Sequence, residues 1–315
     1  MTKRFTQHFR WVILAAIVAA LITLPFWGSR YWVLICLLFS LYLAMAQMWN
    51  LLAGYSGLIS LGQQCFIGLG GYTLAVLSVY YGVPIWLSIL IGGMISVIFA
   101  LIISVPIFRM RGVYFAIGTW IVAEALGICF SNWEYVRYGM GLFVKPAYKL
   151  SINQIYYAAL AMGIGSVVLV YILLRSKLGL GLMAMRDDEG ASETLGVEVF
   201  RSKLYCFLVG AFVTGVTAGV LYLYQIFIQP YRAFGIDWTV RLVFIVIIGG
   251  IGTIEGPIIG AIIFVFLQQF FSEYISVSLL LLGSVAISVM LLAPKGIMGT
   301  IQAKLGFEIL SPRRK

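Results

Sequence analysis

The sequence predicts an all-α, polytopic integral membrane protein with about ten transmembrane crossings, some of them short or broken. Composition is the first ground for this: of 315 residues, 62% are hydrophobic and 10% charged, against about 25% charged in a typical soluble domain. Mean hydropathy is +1.04. Spacing is the second ground. Apolar runs of about 20 residues, enough to cross a bilayer core as helix, follow one another with short polar breaks. The third ground is where the charge falls, and it emerges as the chain is read in order.

Residues 1–10 form a basic tail (Lys3, Arg4, Arg10), and residues 11–27 an apolar run. That combination also suits a signal peptide. The run ends in Leu24-Pro25-Phe26-Trp27 with no small-x-small cleavage site, so it reads as a retained first span. Further spans are expected at 31–52, about 60–81, 84–108, 112–131, 154–174 and 204–228. Residues 240–272 are apolar but broken at Gly249-Gly250-Ile251-Gly252-Thr253-Ile254-Glu255-Gly256-Pro257 and again at Gly260. They are too long for one simple span and read as two short crossings, or one crossing and a re-entrant piece. A last span is expected at 275–293, which bounds a transmembrane domain of 11–293 and leaves a basic tail at 294–315.

Counting two crossings in 240–272, with both termini cytoplasmic, places 15 of the 21 Lys and Arg residues on the cytoplasmic side. They sit in the N-tail, at Arg109 and Arg111, in the 175–203 loop and in the C-tail. This satisfies the positive-inside rule. The net charge of +10 is thereby explained by loop bias and anionic lipid, with no nucleic acid implied.

Catalytic chemistry finds little material. Cys36, Cys65, Cys129 and Cys206 lie in apolar stretches without ligand spacing, and His8 is the single histidine. No metal-ligand cluster, nucleophile set or phosphate-binding G-x-x-x-x-G-K-[ST] is present. No cofactor is expected, and energy from ATP has to arrive through a partner.

The longest polar interruption, Arg175 to Lys203, organises the rest. Within it lies Arg186-Asp187-Asp188-Glu189-Gly190-Ala191-Ser192-Glu193-Thr194-Leu195-Gly196. Asp187 or Asp188 suits a helix N-cap, and Gly196 a stop after Leu195. Ala191 and Leu195, four apart, share one face. So short a helix is marginal alone and completes its packing against something else. The alternative is a solvated connector.

Glu124 stands inside the fifth expected span, where an acid is costly and a functional candidate. It lines a path, binds a proton, or bonds to neighbouring helices. Gln63 and Gln64 offer amides to a solute or bond across helices. Glu255 reads as a solvated residue in a cytoplasmic turn, and Asp237 and Arg241 as a local ion pair. Gly54-x-x-Gly57 echoes Gly249-x-x-Gly252, each after an inward-going span. Paired breaks of this kind point to a translocation path. The path candidates are Gly54, Gly57, Gln63, Gln64, Gly71, Glu124, Gly249, Gly250, Gly252, Gly256 and Gly260.

Over residues 31–300 the chain resembles the permeases of ABC importers for branched-chain amino acids, of the LivM type. The resemblance rests on four stretches in order: Asn50-Leu-Leu-Ala-Gly-Tyr-Ser-Gly-Leu-Ile-Ser-Leu-Gly62 on through Gly71-Tyr72; Arg109-Met-Arg-Gly-Val-Tyr-Phe-Ala-Ile117; Gly181-Leu-Met-Ala-Met-Arg-Asp-Asp-Glu189 with Ala191 and Leu195-Gly196; and Gly249 to Pro257. It implies a non-catalytic transport subunit in a prokaryotic inner membrane. The implied partners are a second, LivH-like permease, two cytoplasmic ATPases and an extracytoplasmic solute-binding protein. It also implies that Arg186, Asp187, Asp188, Glu189, Ala191, Leu195 and Gly196 belong to a coupling helix seated in an ATPase groove. Related permeases carry urea, amides or aromatic amino acids. A secondary transporter or channel working through Glu124 is the competing class, and a membrane-embedded enzyme lacks the residues it would need.

Overall fold

The computed structural model describes residues 2–271, 280, 283–285, 287–288, 291, 293 and 296–305. Most of the expected last span, 275–293, and the end of the C-tail lie outside the described residues.

The described residues are helical nearly throughout. Helix α1 (Thr2–Trp27) turns at Gly28 into α2 (Arg30–Asn50), which continues through a π-helical turn, Leu51–Tyr55. An irregular stretch leads to α3 (Gln63–Tyr80), then α4 (Ile85–Ile107) and α5 (Val113–Ser131). Next come α6 (Ile152–Leu174), α7 (Lys177–Asp187), α8 (Glu189–Thr194) and α9 (Val199–Gln225). A single turn, α10 (Pro230–Ala233), precedes α11 (Asp237–Gly249) and α12 (Gly256–Phe270), and α13 (Gly296–Leu305) closes the described chain. Among the described residues five helices are long and apolar enough to cross a membrane: α2 with its π turn, α4, α5, α6 and α9. This is the all-α polytopic class that the composition predicts.

α2, α3 and α9 form the centre, because their apolar residues run round most of the helix and they are buried over much of their length. Small residues let them approach closely: a Cβ on Gly70 of α3 would lie 2.1 Å from the Gly215 carbonyl oxygen of α9. α9 begins at Val199, five residues before the expected span, and an exposed Glu198–Arg201 pair at 2.6 Å lies across its first turn. α11 and α12 have 13 and 15 residues. At about 1.5 Å per residue neither spans a core of about 30 Å. They form a tight hairpin of two short helices joined at residues 250–255.

Two ends can be told apart by contact. At one, β1 (Leu142–Phe143) pairs antiparallel with β2 (Phe227–Ile228), joining the 132–151 loop to the chain after α9. The Tyr156 and Tyr157 hydroxyls, at the start of α6, donate to Leu21 and Ile22 carbonyls near the end of α1. At the opposite end Phe108 contacts Phe200, 5.7 Å between ring centroids, which sets the Arg109–Arg111 loop beside the 175–203 segment. The basic residues of both loops thus gather at one end, called the basic end below.

Candidate functional site

At the basic end the polar loop folds into two helices where one was expected. α7 runs through Arg186 and Asp187, so these two residues lie outside the short helix. Asp188 breaks the chain in extended conformation and caps α8, its Oδ1 accepting from the Ala191 N–H at 3.0 Å. Gly196 ends the turn at φ +82°, its N–H donating to Glu193 O at 3.0 Å. An L side chain rarely adopts that backbone conformation, so the expected stop is physically required. One face of α8 is fastened to the body: Ser192 is buried, and Lys203 Nζ of α9 sits 2.5 Å from Glu189 Oε1. Lys203 is only 6% exposed. The other face is bare. Ala191 is exposed, and Leu195 is 80% exposed. The Lys203–Glu189 pair was invisible from the motif alone, since the two residues are 14 apart and on different helices.

Just beneath α7 and α8 the two interrupted spans meet. The turn between α11 and α12 is held on α2 by three side-chain bonds. Asn50 Oδ1 accepts from Gly252 N–H at 2.9 Å, Asn50 Nδ2 donates to Thr253 O at 2.8 Å, and Gln47 Nε2 donates to Ile254 O at 2.8 Å. The fit leaves no room for side chains: a Cβ on Gly54 would stand 2.3 Å from Asn50 Oδ1 and 2.6 Å from Gly252 N. Arg186 reaches into this junction, with its Nη1 donating to Gly54 O at 2.8 Å. Gly250 packs against Gly296 of α13. Glu255, expected in solvent, is 5% exposed. The C-terminal helix covers it, and Gln302 Nε2 donates to its Oε2 at 3.4 Å.

The remaining path candidates divide by role. Gly249, Gly256 and Gly260 are contact glycines of the α11–α12 hairpin: a Cβ on Gly249 would lie 1.9 Å from Gly256 O, and one on Gly260 1.9 Å from Ile245 O. Gly71 is pressed against the Tyr222 ring. Gln63 and Gln64 are fully buried and bond across helices, Gln63 Nε2 to Thr214 Oγ1 at 2.7 Å and Gln64 Oε1 from the Thr239 hydroxyl. Gln63 Oε1 and Gln64 Nε2 are left without partners among the described residues. Glu124 is exposed on α5, amid the exposed Ile117, Trp120, Ile121 and Ile128, and has no hydrogen bond or ion pair among the described residues.

At the end opposite the basic one, a cavity of about 400 Å³ is lined by Tyr222, Gln225, Gln229, Arg232, Asp237 and Arg241, with Phe227 and Trp238 beside them. The expected Asp237–Arg241 ion pair is absent. Arg241 turns instead to the Tyr42 hydroxyl at 3.3 Å and lies 5.2 Å from the Trp238 ring centroid. Stacking on the aromatic face draws the guanidinium away from the aspartate, and both charges stay available to the cavity. Among the described residues no group of His, Cys, Asp or Glu could hold a metal ion.

Two apolar stretches joined at their glycine-rich ends, a helix tethered at the basic end and a charged cavity at the far end suit a membrane transport subunit. Residues 31–294 match the family described as branched-chain amino acid transport system, permease component. The chain belongs to that family. It is 27% identical to the high-affinity branched-chain amino acid transport system permease protein LivM of Escherichia coli, over 93% of this chain and 76% of the relative. The LivM protein of Salmonella typhimurium is 26% identical over the same shares. A probable LivM of Methanocaldococcus jannaschii is 24% identical over 76% of this chain and 81% of the relative. No solved structure matches the chain.

Proposed function

We propose that this chain is the permease subunit of an ABC importer for branched-chain amino acids, and that α8 is the helix by which a cytoplasmic ATPase drives it. The single observation that carries the coupling role is the two-faced geometry of α8: one face fixed by Lys203, the other presenting Ala191 and Leu195. An apolar side chain held out on a capped, anchored helix suits a groove on another protein. The basic end is then cytoplasmic, in keeping with the positive-inside rule, and both termini lie on that side.

A second, LivH-like permease covers the bare face of α5. Glu124 supports this, because a lipid-facing acid at a helix centre costs about 2.5–3.5 kcal/mol and a protein or aqueous neighbour removes that cost. Two ATPases and an extracytoplasmic binding protein complete the assembly. Asp237 and Arg241, which line the far cavity without pairing with each other, favour a solute carrying both charges over neutral urea or amides. The permease performs no covalent chemistry.

The test is reconstitution of the assembled complex in proteoliposomes with ATP inside and the loaded binding protein outside. ATP-dependent leucine uptake, competed by isoleucine and valine and not by urea, is expected. Uptake that persists without ATP and follows a proton gradient would overturn the proposal in favour of a secondary transporter.

A further inference from the structure

Three glycines singled out for backbone breaks and one arginine from the polar loop are far apart in sequence, yet they meet at one point. Arg186 Nη1 donates to Gly54 O. Gly54 lies in the π turn that ends α2, where the last carbonyls of a helix need outside partners. The same nitrogen lies against the other interrupted span: a Cβ on Gly252 would stand 2.9 Å from it and 3.0 Å from Gly54 O. Gly57 packs on the arginine's stem, where a Cβ would be 3.6 Å from both Arg186 Cα and Cγ. The guanidinium is thus wedged where the first break, the second break and the end of α7 converge.

The ties in this junction differ in kind. Gln47 and Asn50 are fully buried, and their three bonds join α2 to the 250–255 turn from inside the protein. Arg186 comes from outside. Its side chain is 45% exposed, and its Nε lies 3.6 Å from Asp187 Oδ1, a second partner within reach. It is two residues from Asp188, the cap of α8. A displacement of α8 therefore pulls on Arg186 before anything else in the junction, and Asp187 and solvent accept the guanidinium when it leaves Gly54.

We infer that Arg186 is a state-dependent latch that holds the two interrupted spans together at the basic end and releases them when α8 is displaced. Arg186 is a positioning residue: it acts on the solute pathway through Gly54 and Gly252 and need not touch the solute. The inference rests on the proposal that α8 receives the ATPase stroke, and it adds the side chain by which that stroke reaches the membrane-embedded breaks.

Two measurements test it on the full complex. In the first, the four native cysteines are replaced and spin labels are placed at Ile59 and Ile251, exposed residues flanking the two breaks. Without nucleotide, the parent is expected to give one narrow distance distribution, and Arg186→Ala a broadened or longer one. In the second, ATP hydrolysis is read with and without loaded binding protein. Arg186→Ala is expected to abolish the stimulation and cut uptake about tenfold or more, the scale of one charge-assisted hydrogen bond.

Arg186→Lys keeps the charge but loses the planar fork that seats against Gly252. It is expected to fall between parent and alanine variant, and it carries the test if Arg186→Ala fails to assemble. Parent-like distances together with parent-like stimulation in the variant that assembles would overturn the latch. A parent complex with no ATP-dependent uptake would instead sink the proposed function, while the spin-label distances would still judge the latch.

Discussion

The tether between α8 and α9 gives the most direct prediction. Replacing Lys203 by Met removes the ammonium that sits 2.5 Å from Glu189 Oε1. A fully buried pair costs about 3–5 kcal/mol to break, and an exposed one about 0.2–1 kcal/mol. Here Lys203 is buried at 8% side-chain exposure, while Glu189 keeps 32% and can be rehydrated once unpaired. The loss therefore falls between the limits, at about 2 kcal/mol, in the range for a hydrogen bond to a charged group. A six-residue helix has no independent stability to absorb it. The ratio of tethered to detached α8 should drop about thirtyfold. The assay is amide hydrogen exchange in lipid nanodiscs, following the Leu195 N–H, which donates to Ala191 O at 3.3 Å. Peptides in the middle of α9 serve as the internal reference. Exchange of the 189–197 segment should accelerate about thirtyfold while the α9 reference stays put, and the charge-reversed pair Glu189→Lys with Lys203→Glu should recover much of the protection. Unchanged exchange in Lys203→Met would refute the idea that this pair holds the helix.

Other outcomes follow from the same geometry. Leu195→Asp places a charge on the bare face of α8 and is expected to abolish uptake while the chain stays in the membrane; normal uptake would remove α8 from the coupling role. Gly260→Val puts a side chain where a Cβ already lies 1.9 Å from the Ile245 carbonyl oxygen, so thermal unfolding should show a loss of about 3 kcal/mol or more. Asp237→Asn and Arg241→Gln are each expected to raise the KM for leucine uptake more than they lower kcat, and equal effects on both constants would argue against a charged mouth that receives the solute. Glu124→Leu makes the α5 face uniformly apolar; the second permease should then co-purify less well, and an unchanged yield would place Glu124 away from that interface.

How much of this was legible in the sequence depended on the range of the signal. The spans came from local composition, and α2, α4, α5 and α6 fall within a few residues of where apolar runs place them. The cap and stop of α8 were legible because Asp188 and Gly196 act on backbone within three residues of themselves. Long-range partners left no local mark. Asn50 bonds to residues 202 and 203 positions away, and Lys203 to one 14 positions away on another helix. Glu255 was misjudged for the same reason: a turn near charged loops looks solvated until α13 is seen to lie across it. Asp237 and Arg241 had the right spacing for an ion pair, and the nearby ring of Trp238 took the arginine instead.

The glycine echo shows how a correct signal can carry a different meaning from the one first read into it. Gly54-x-x-Gly57 and Gly249-x-x-Gly252 pointed to breaks in two spans; the first pair lies where α2 ends in its π turn, the second where α11 gives way to α12. Yet these glycines are not spread along an open route. Gly54 and Gly252 are each other's neighbours, with no space for a methyl group between them, while Gly249 closes the hairpin of its own span against Gly256. Helices in lipid gain little from hydrophobic contact with one another, so close backbone approach and polar ties do the joining. Here the approach needs glycine on both sides and the ties come from Gln47, Asn50 and Arg186. Two of these are sealed in the core, and the third stands at the root of the short helix that presents Ala191 and Leu195 outward. A joint made this way is rigid along its buried side and releasable along its exposed side, which is the mechanical arrangement required if an external stroke is to open a path inside the membrane.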